Sequence, residues 1–304
     1  MRVGGQAIME GVLMRSPNFW GMAVRTPTGE LDLRAERFRS VTRRSKLFRL
    51  PIIRGALSLG ETLWLGMKAL TLSTNIALGE EEELSKKEIA FTLGFALVLG
   101  LGLFLIAPVL GTKGLGSFLG TGIENPIIFN LVEGAIRIAI FIGYLLGITV
   151  ISKDVKRFFA YHGAEHKAIK VYERGEELVP ENSHKLDTSH VRCGTSFVLY
   201  VLVLSILAFS LLGVEGWLYM LASRVVVIPL VAGIAFEFIM WSARNQDSAI
   251  VRALVWPGLQ MQRLTTREPS DDMVEVAMAS LKKVLSMEKE AEIEPNEATS
   301  KLVI

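Results

Sequence analysis

The four histidines of this 304-residue chain, His162, His166, His184 and His190, and its one cysteine, Cys193, all fall between positions 162 and 193. Within that stretch, His162-Gly163-Ala164-Glu165-His166 matches the H-x-x-E-H pattern that inverted zinc peptidases carry on a helix. Apolar and histidine positions at Val155, Phe158, Phe159, His162, His166 and Ile169 recur every three or four residues, and Gly175 follows as a stop, so a helix is predicted here. Histidines four apart stack on one helical face, where their ring nitrogens can converge on one ion at about 2.0–2.1 Å. Glu165 stands one turn from His162 and suits the role of general base, the catalytic residue of such a site. His190 and Cys193, three apart on a turn before the next apolar run, supply further ligands, and a divalent metal, zinc by ligand chemistry, is the expected cofactor. Three protein ligands with an open position make a catalytic site, whereas four make a closed structural one; the spacing allows both. His184, between Ser183 and Lys185, reads as solvent-exposed. Glu237, near the end of the last apolar run, is the carboxylate such a site could recruit as a metal ligand from another helix, or else a helix-end group paired with Arg244.

These residues must be held by a membrane-anchored frame. Half the chain is hydrophobic and 21% is charged, and the apolar residues are gathered into runs such as Ala90 to Leu110 and Ser196 to Val214 that hold no charged side chain. A run of about 18 or more uncharged apolar residues is long enough to cross a bilayer as a helix, which excludes an ordinary soluble enzyme. One cysteine excludes a disulfide-stapled secreted module, and no removable signal peptide is expected at the N-terminus. Four spans are predicted, at about 90–110, 127–151, 196–214 and 217–241. The second and fourth carry Glu133 with Arg137 and Arg224 with Glu237. The simplest account of Glu133, Arg137 and Arg224 is an internal ion-pair network.

Residues 1–54 hold eleven Lys/Arg and residues 152–195 hold eight, against one (Lys113) in 111–126 and none in 213–216. The positive-inside rule then places the N-terminus, the histidine loop and the C-terminus in the cytoplasm. A full crossing by residues 51–78 would put a basic segment outside, so they read as an interfacial or re-entrant helix with Glu61 and Lys68 in polar surroundings, a fifth span with the N-terminus outside being the alternative. The expected fold is an all-α polytopic membrane protein with four transmembrane helices, this extra helix and a small α+β cytoplasmic portion. Its expected parts are an N-terminal region 1–50 with a small hairpin over 20–35, the helix 51–78, a first transmembrane pair 90–151, the metal loop 152–195, a second pair 196–241, and a cytoplasmic segment 242–304. The last begins a helix at Ser270, with Val274, Ala277, Met278, Leu281, Val284 and Leu285 on one face, and turns into a disordered tail after about Met287.

Four segments, Gly4–Arg15, Tyr161–Lys167, Arg192–Phe197 and Gln262–Pro269, together resemble the YqhQ-like bacterial membrane proteins, domain-of-unknown-function family 1385. The resemblance runs from about residue 3 to 285. It implies a multi-pass protein of the bacterial inner membrane and a metal-dependent enzyme without an assigned substrate. His162, Glu165, His166, His190 and Cys193 fall on its motif positions, and Val191 stands where relatives typically have proline. Gln6 and Glu10 of the first segment are polar groups that could line a site, or belong to a structural turn. The leading expectation is thus a cytoplasm-facing, zinc-dependent hydrolase. The competing one is a non-enzymatic scaffold with a structural metal. The expected partners are the lipid bilayer and a protein partner or second copy of the chain, with no nucleic acid.

Overall fold

The computed structural model describes residues 3–79, 85–120, 123, 125–212 and 217–300. The chain is mostly helical, with one small antiparallel sheet at the N-terminal end. Strands β1 (Gly4–Ile8), β2 (Gly11–Arg15), β3 (Phe19–Arg25) and β4 (Leu31–Arg37) form a meander in the order β1-β2-β3-β4. The expected hairpin is its β3–β4 half, closed at Pro27-Thr28-Gly29, and the Gly4–Arg15 motif forms the other half. Its central strands β2 and β3 are buried on both faces. Leu13, Trp20, Met22 and Val24 pack on Leu65 and Ala69 of helix α1 (Ile53–Leu78), while Val12, Met14 and Ala23 face the opposite layer.

That opposite layer is made of α5 (Lys153–Glu173) and α9 (Asp271–Ser300). Ala160, Tyr161, Ala164, Ala168 and Val171 of α5 join Val274, Ala277, Met278, Leu281 and Val284 of α9 in one core. The amphipathic face expected after Ser270 is the face that packs. Where disorder was expected beyond Met287, the helix continues: Glu288 is buried and accepts hydrogen bonds from Asn18 N and Nδ2 at 2.7 and 2.8 Å. A side chain that ties the helix to the sheet gives this turn a reason to persist.

Among the described residues, four helices are long and apolar enough to cross a membrane: Ala90–Phe118, Pro126–Ile151, Gly194–Leu212 and Val225–Ser242. The first runs from α2 (Lys86–Leu101) through a π-helical turn, Gly102–Ile106, into α3 (Ala107–Phe118), and so exceeds the expected 90–110. The wider turn precedes Pro108, which cannot donate to the ladder, and is the local adjustment that lets the helix pass it. The others lie in α4 (Pro126–Ile151), α6 (Gly194–Leu212) and α7 (Trp217–Ser242). Within α4, Glu133 and Arg137 pair as expected and are buried; the side chain of Arg224 lies outside the described residues. Ser152 ends α4 and caps α5, its hydroxyl accepting from Val155 N at 3.2 Å. Sequence reading assigned no helix to 249–265, yet α8 (Ala249–Thr265) forms there and lies across the first turns of α6, with Tyr200 Oη donating to Val255 O at 3.3 Å.

Candidate metal centre

Helix α5 puts His162 and His166 on one face with ring centroids 4.5 Å apart. Each ring is oriented by a backbone carbonyl, His162 Nδ1 lying 2.8 Å from Thr265 O and His166 Nδ1 2.6 Å from Thr188 O. A carbonyl only accepts, so both Nδ1 atoms carry the proton and Nε2 is the nitrogen left to bind a metal, the arrangement found behind metal-ligating histidines. Cys193, at the start of α6, closes the group with its Sγ 3.3 Å from His162 Nε2. Thr195 N donates to the same sulfur at 3.3 Å, at a helix N-terminus, where negative charge is favoured.

The donor atoms of His162, His166 and Cys193 all lie within 4.8 Å of one another. Donors of a tetrahedral zinc site stand about 3.3–3.8 Å apart, so the group is close to the required size, and two imidazoles with a thiol form a donor set that zinc accepts. These three residues therefore fit a metal ion.

Glu165 is buried beside them, with Oε2 3.4 Å from His166 Nε2. Burial pushes its carboxyl up to about 7, against the opposing pull of His162, Arg192 and a hydrogen bond from the Gly5 backbone. That contact explains a glycine of the first motif, since a Cβ at Gly5 would stand 2.7 Å from Glu165 Cγ. Gly163 has a similar role: a Cβ there would lie 2.1 Å from Arg267 O, in the strand of backbone that lays Thr265 against His162.

The remaining sequence candidates are placed elsewhere. His190 turns its Nε2 to Glu173, 3.2 Å away, and its Nδ1 accepts from Arg192 N at 3.3 Å. Its ring centroid is 5.6 Å from that of His166, and it is not one of the three converging donors. Burial lowers the His190 imidazole, while its hydrogen bond holds the Glu173 carboxyl below the usual range. Glu237 is bound by Arg54 of α1 at 2.6 and 2.5 Å rather than turned to the histidines. Glu10 pairs with Arg157 and accepts from Tyr161 Oη at 3.3 Å, pinning the β1–β2 turn to α5. Gln6 lies against Gly66 of α1, and exposed His184 meets Asp271 at 2.8 Å.

What sequence reasoning missed is the clamp. Gln262 of α8 is fully buried, bonds both backbone groups of His190 (2.7 and 2.8 Å) and donates to Ser196 Oγ at 2.7 Å. Buried Lys167 pairs with Glu268, holding the segment that carries Thr265. Both Gln262 and Glu268 lie in the fourth motif, which was the available signal. Beside the centre, a cleft of about 410 Å³ is lined by Lys170, Glu173, Asp187, Ser189, His190 and Val191 among others, and not by the three converging residues.

Residues 50–287 match the family described as protein of unknown function (DUF1385), and the chain belongs to that family. It is 29% identical over 297 residues to the uncharacterized protein YqhQ of Bacillus subtilis (strain 168), covering 94% of this chain and 92% of the relative. No solved structure matches it.

Proposed function

We propose that this family member is a membrane-anchored metalloenzyme, a zinc-dependent hydrolase facing the cytoplasm from the bacterial inner membrane. The observation that carries this reading is the geometry: among the described residues three donors converge, and a buried carboxylate, Glu165, stands beside them with its Oε2 3.4 Å from His166 Nε2, burial pushing its carboxyl up to about 7. His162, His166 and Cys193 would hold the ion, and the carbonyls of Thr265 and Thr188 fix the two rings. Bound there, zinc would supply Lewis acidity and water activation. Glu165 is the general base: a group titrating near neutrality can take a proton and return it within one turnover. The distribution of Lys and Arg supports the cytoplasmic orientation, and α1 suits the membrane interface. Its Leu63, Trp64 and Met67 are exposed, while Glu61 and Lys68 turn inward to Arg15 and Glu36.

Metal analysis of detergent-purified protein tests this reading. Wild type is expected to hold about one zinc per chain and His162→Ala, His166→Ala to hold none; equal, sub-stoichiometric metal in both sinks the idea. Glu165→Gln should keep the metal and lose the cellular function.

Burial of His166 and Cys193, which are 2% and 4% exposed, together with a cleft that the three residues do not line, favours a second reading. In it the metal is structural and the protein is a scaffold for a partner protein or a second copy. Cobalt-substituted protein separates the two, because an open coordination position shifts its visible spectrum on adding azide and a closed site does not.

A further inference from the structure

Helix α8 has two faces that differ in kind. Val251, Val255, Gly258, Gln262 and Thr265 are buried on one side, toward α6 and the metal centre. The opposite side is exposed. At 100° per residue, Ile250, Ala253, Leu254 and Pro257 form a continuous apolar stripe, and Arg252, Trp256 and Arg263 line up along one of its edges. Ile250 is 70% exposed and Trp256 60%. A lone exposed apolar side chain needs no account, but an ordered stripe bordered by arginines and a tryptophan does.

The position of α8 identifies what covers this stripe. Only six residues separate it from Ser242, where α7 ends, so its start stays within about 25 Å of the end of a helix apolar enough to cross a membrane. It rests on the first turns of α6, the corresponding end of another such helix. Trp241, in the last turn of α7, is exposed at the same level of the chain. Tryptophan and arginine beside an apolar stripe are the residues that seat a helix in the headgroup boundary, and the arginines suit anionic headgroups.

We infer that α8 is an interfacial helix whose Ile250–Leu254 stripe is seated in the cytoplasmic headgroup boundary of an anionic bilayer. This rests on α6 and α7 crossing that bilayer. Lipid then supports one face of α8 while Gln262, on the other, holds the His190 loop.

The full chain in nanodiscs of phosphatidylethanolamine and phosphatidylglycerol, carrying lipid brominated either near the headgroup or near the chain end, tests this by tryptophan quenching. Subtracting Trp256→Phe and Trp241→Phe from wild type isolates the two signals, and neither substitution removes a buried group. Trp256 is expected to be quenched, with shallow bromine roughly twofold more effective than deep, as for a helix about 5–10 Å into the boundary. If Trp241 is quenched and Trp256 is not, the chain is in the membrane but α8 faces a protein or a second copy, and the inference fails alone. If neither is quenched, the membrane reading fails with it.

Discussion

At the residue scale, the centre depends on two positions where a side chain has no room. The Gly5 Cβ would meet Glu165 Cγ at 2.7 Å and Leu13 O at 2.8 Å. Gly5→Ala should therefore cost about 1–3 kcal/mol, the range for overpacking a filled core, and displace the carboxylate. Gly163→Ala sets a Cβ 2.1 Å from Arg267 O and must move backbone, so it should cost more and also weaken metal retention through Thr265. Thermal unfolding and metal content, measured on both variants, check this; wild-type values for either would show that the close approach is not rigid. The i, i+4 histidines were legible because helical periodicity alone stacks them, whereas Cys193 was legible only as a thiol in the same histidine-rich stretch, brought to them by the packing of α6. His190 and Glu237 were not, because their partners come from other elements. Glu173 takes the His190 ring at a helix end, and Arg54, 183 residues away in sequence, takes Glu237.

The elements repeat that distinction. Helices α4, α6 and α7 lie close to where their apolar runs predicted, and the core face of α9 was readable from its 3.6-residue period. Strands β1 and β2 were not readable, because a sheet sandwiched between α1 and the α5–α9 layer loses the alternation that marks a one-sided strand. Helix α8 was hidden by Pro257 and by an exposed face that is apolar rather than polar. The helix passes Met287 because its next residue makes a tertiary bond that the local sequence does not announce. Burial raises the pKa of the Glu288 carboxyl, but hydrogen bonds from Asn18 and Ser16 outweigh it and hold the group below its usual 4.5. A folded pKa below the unfolded one adds stability that is fully present above about 4.5 and is lost as pH falls through the folded value. Wild type should lose thermal stability on acidification below pH 4.5, and Glu288→Gln should show a smaller loss over that window. Parallel pH profiles of the two proteins would contradict the assignment.

For the whole molecule, the metal centre is a junction. Its residues come from α5, which continues α4, from the start of α6, and from the segment leaving α8, so the candidate ligands gather where two helices of membrane-crossing length, α4 and α6, end and begin. The sheet layer reaches the same end through α1, whose Arg54 grips Glu237 of α7. That end carries the lysine- and arginine-rich segments, and an even number of crossings would put 1–54, 152–195 and the C-terminal helix on one side. Reporter fusions test the arrangement without disturbing the centre. Green fluorescent protein joined after residue 304 should fluoresce and alkaline phosphatase at the same point should be inactive, while phosphatase joined within 119–125, between the first two spans, should be active. Activity after residue 304 with none at 119–125 would turn the molecule over and place the histidines outside. A cytoplasmic general base and α8 in an anionic inner leaflet both require the first outcome, so this one measurement constrains the chemistry and the lipid contact together.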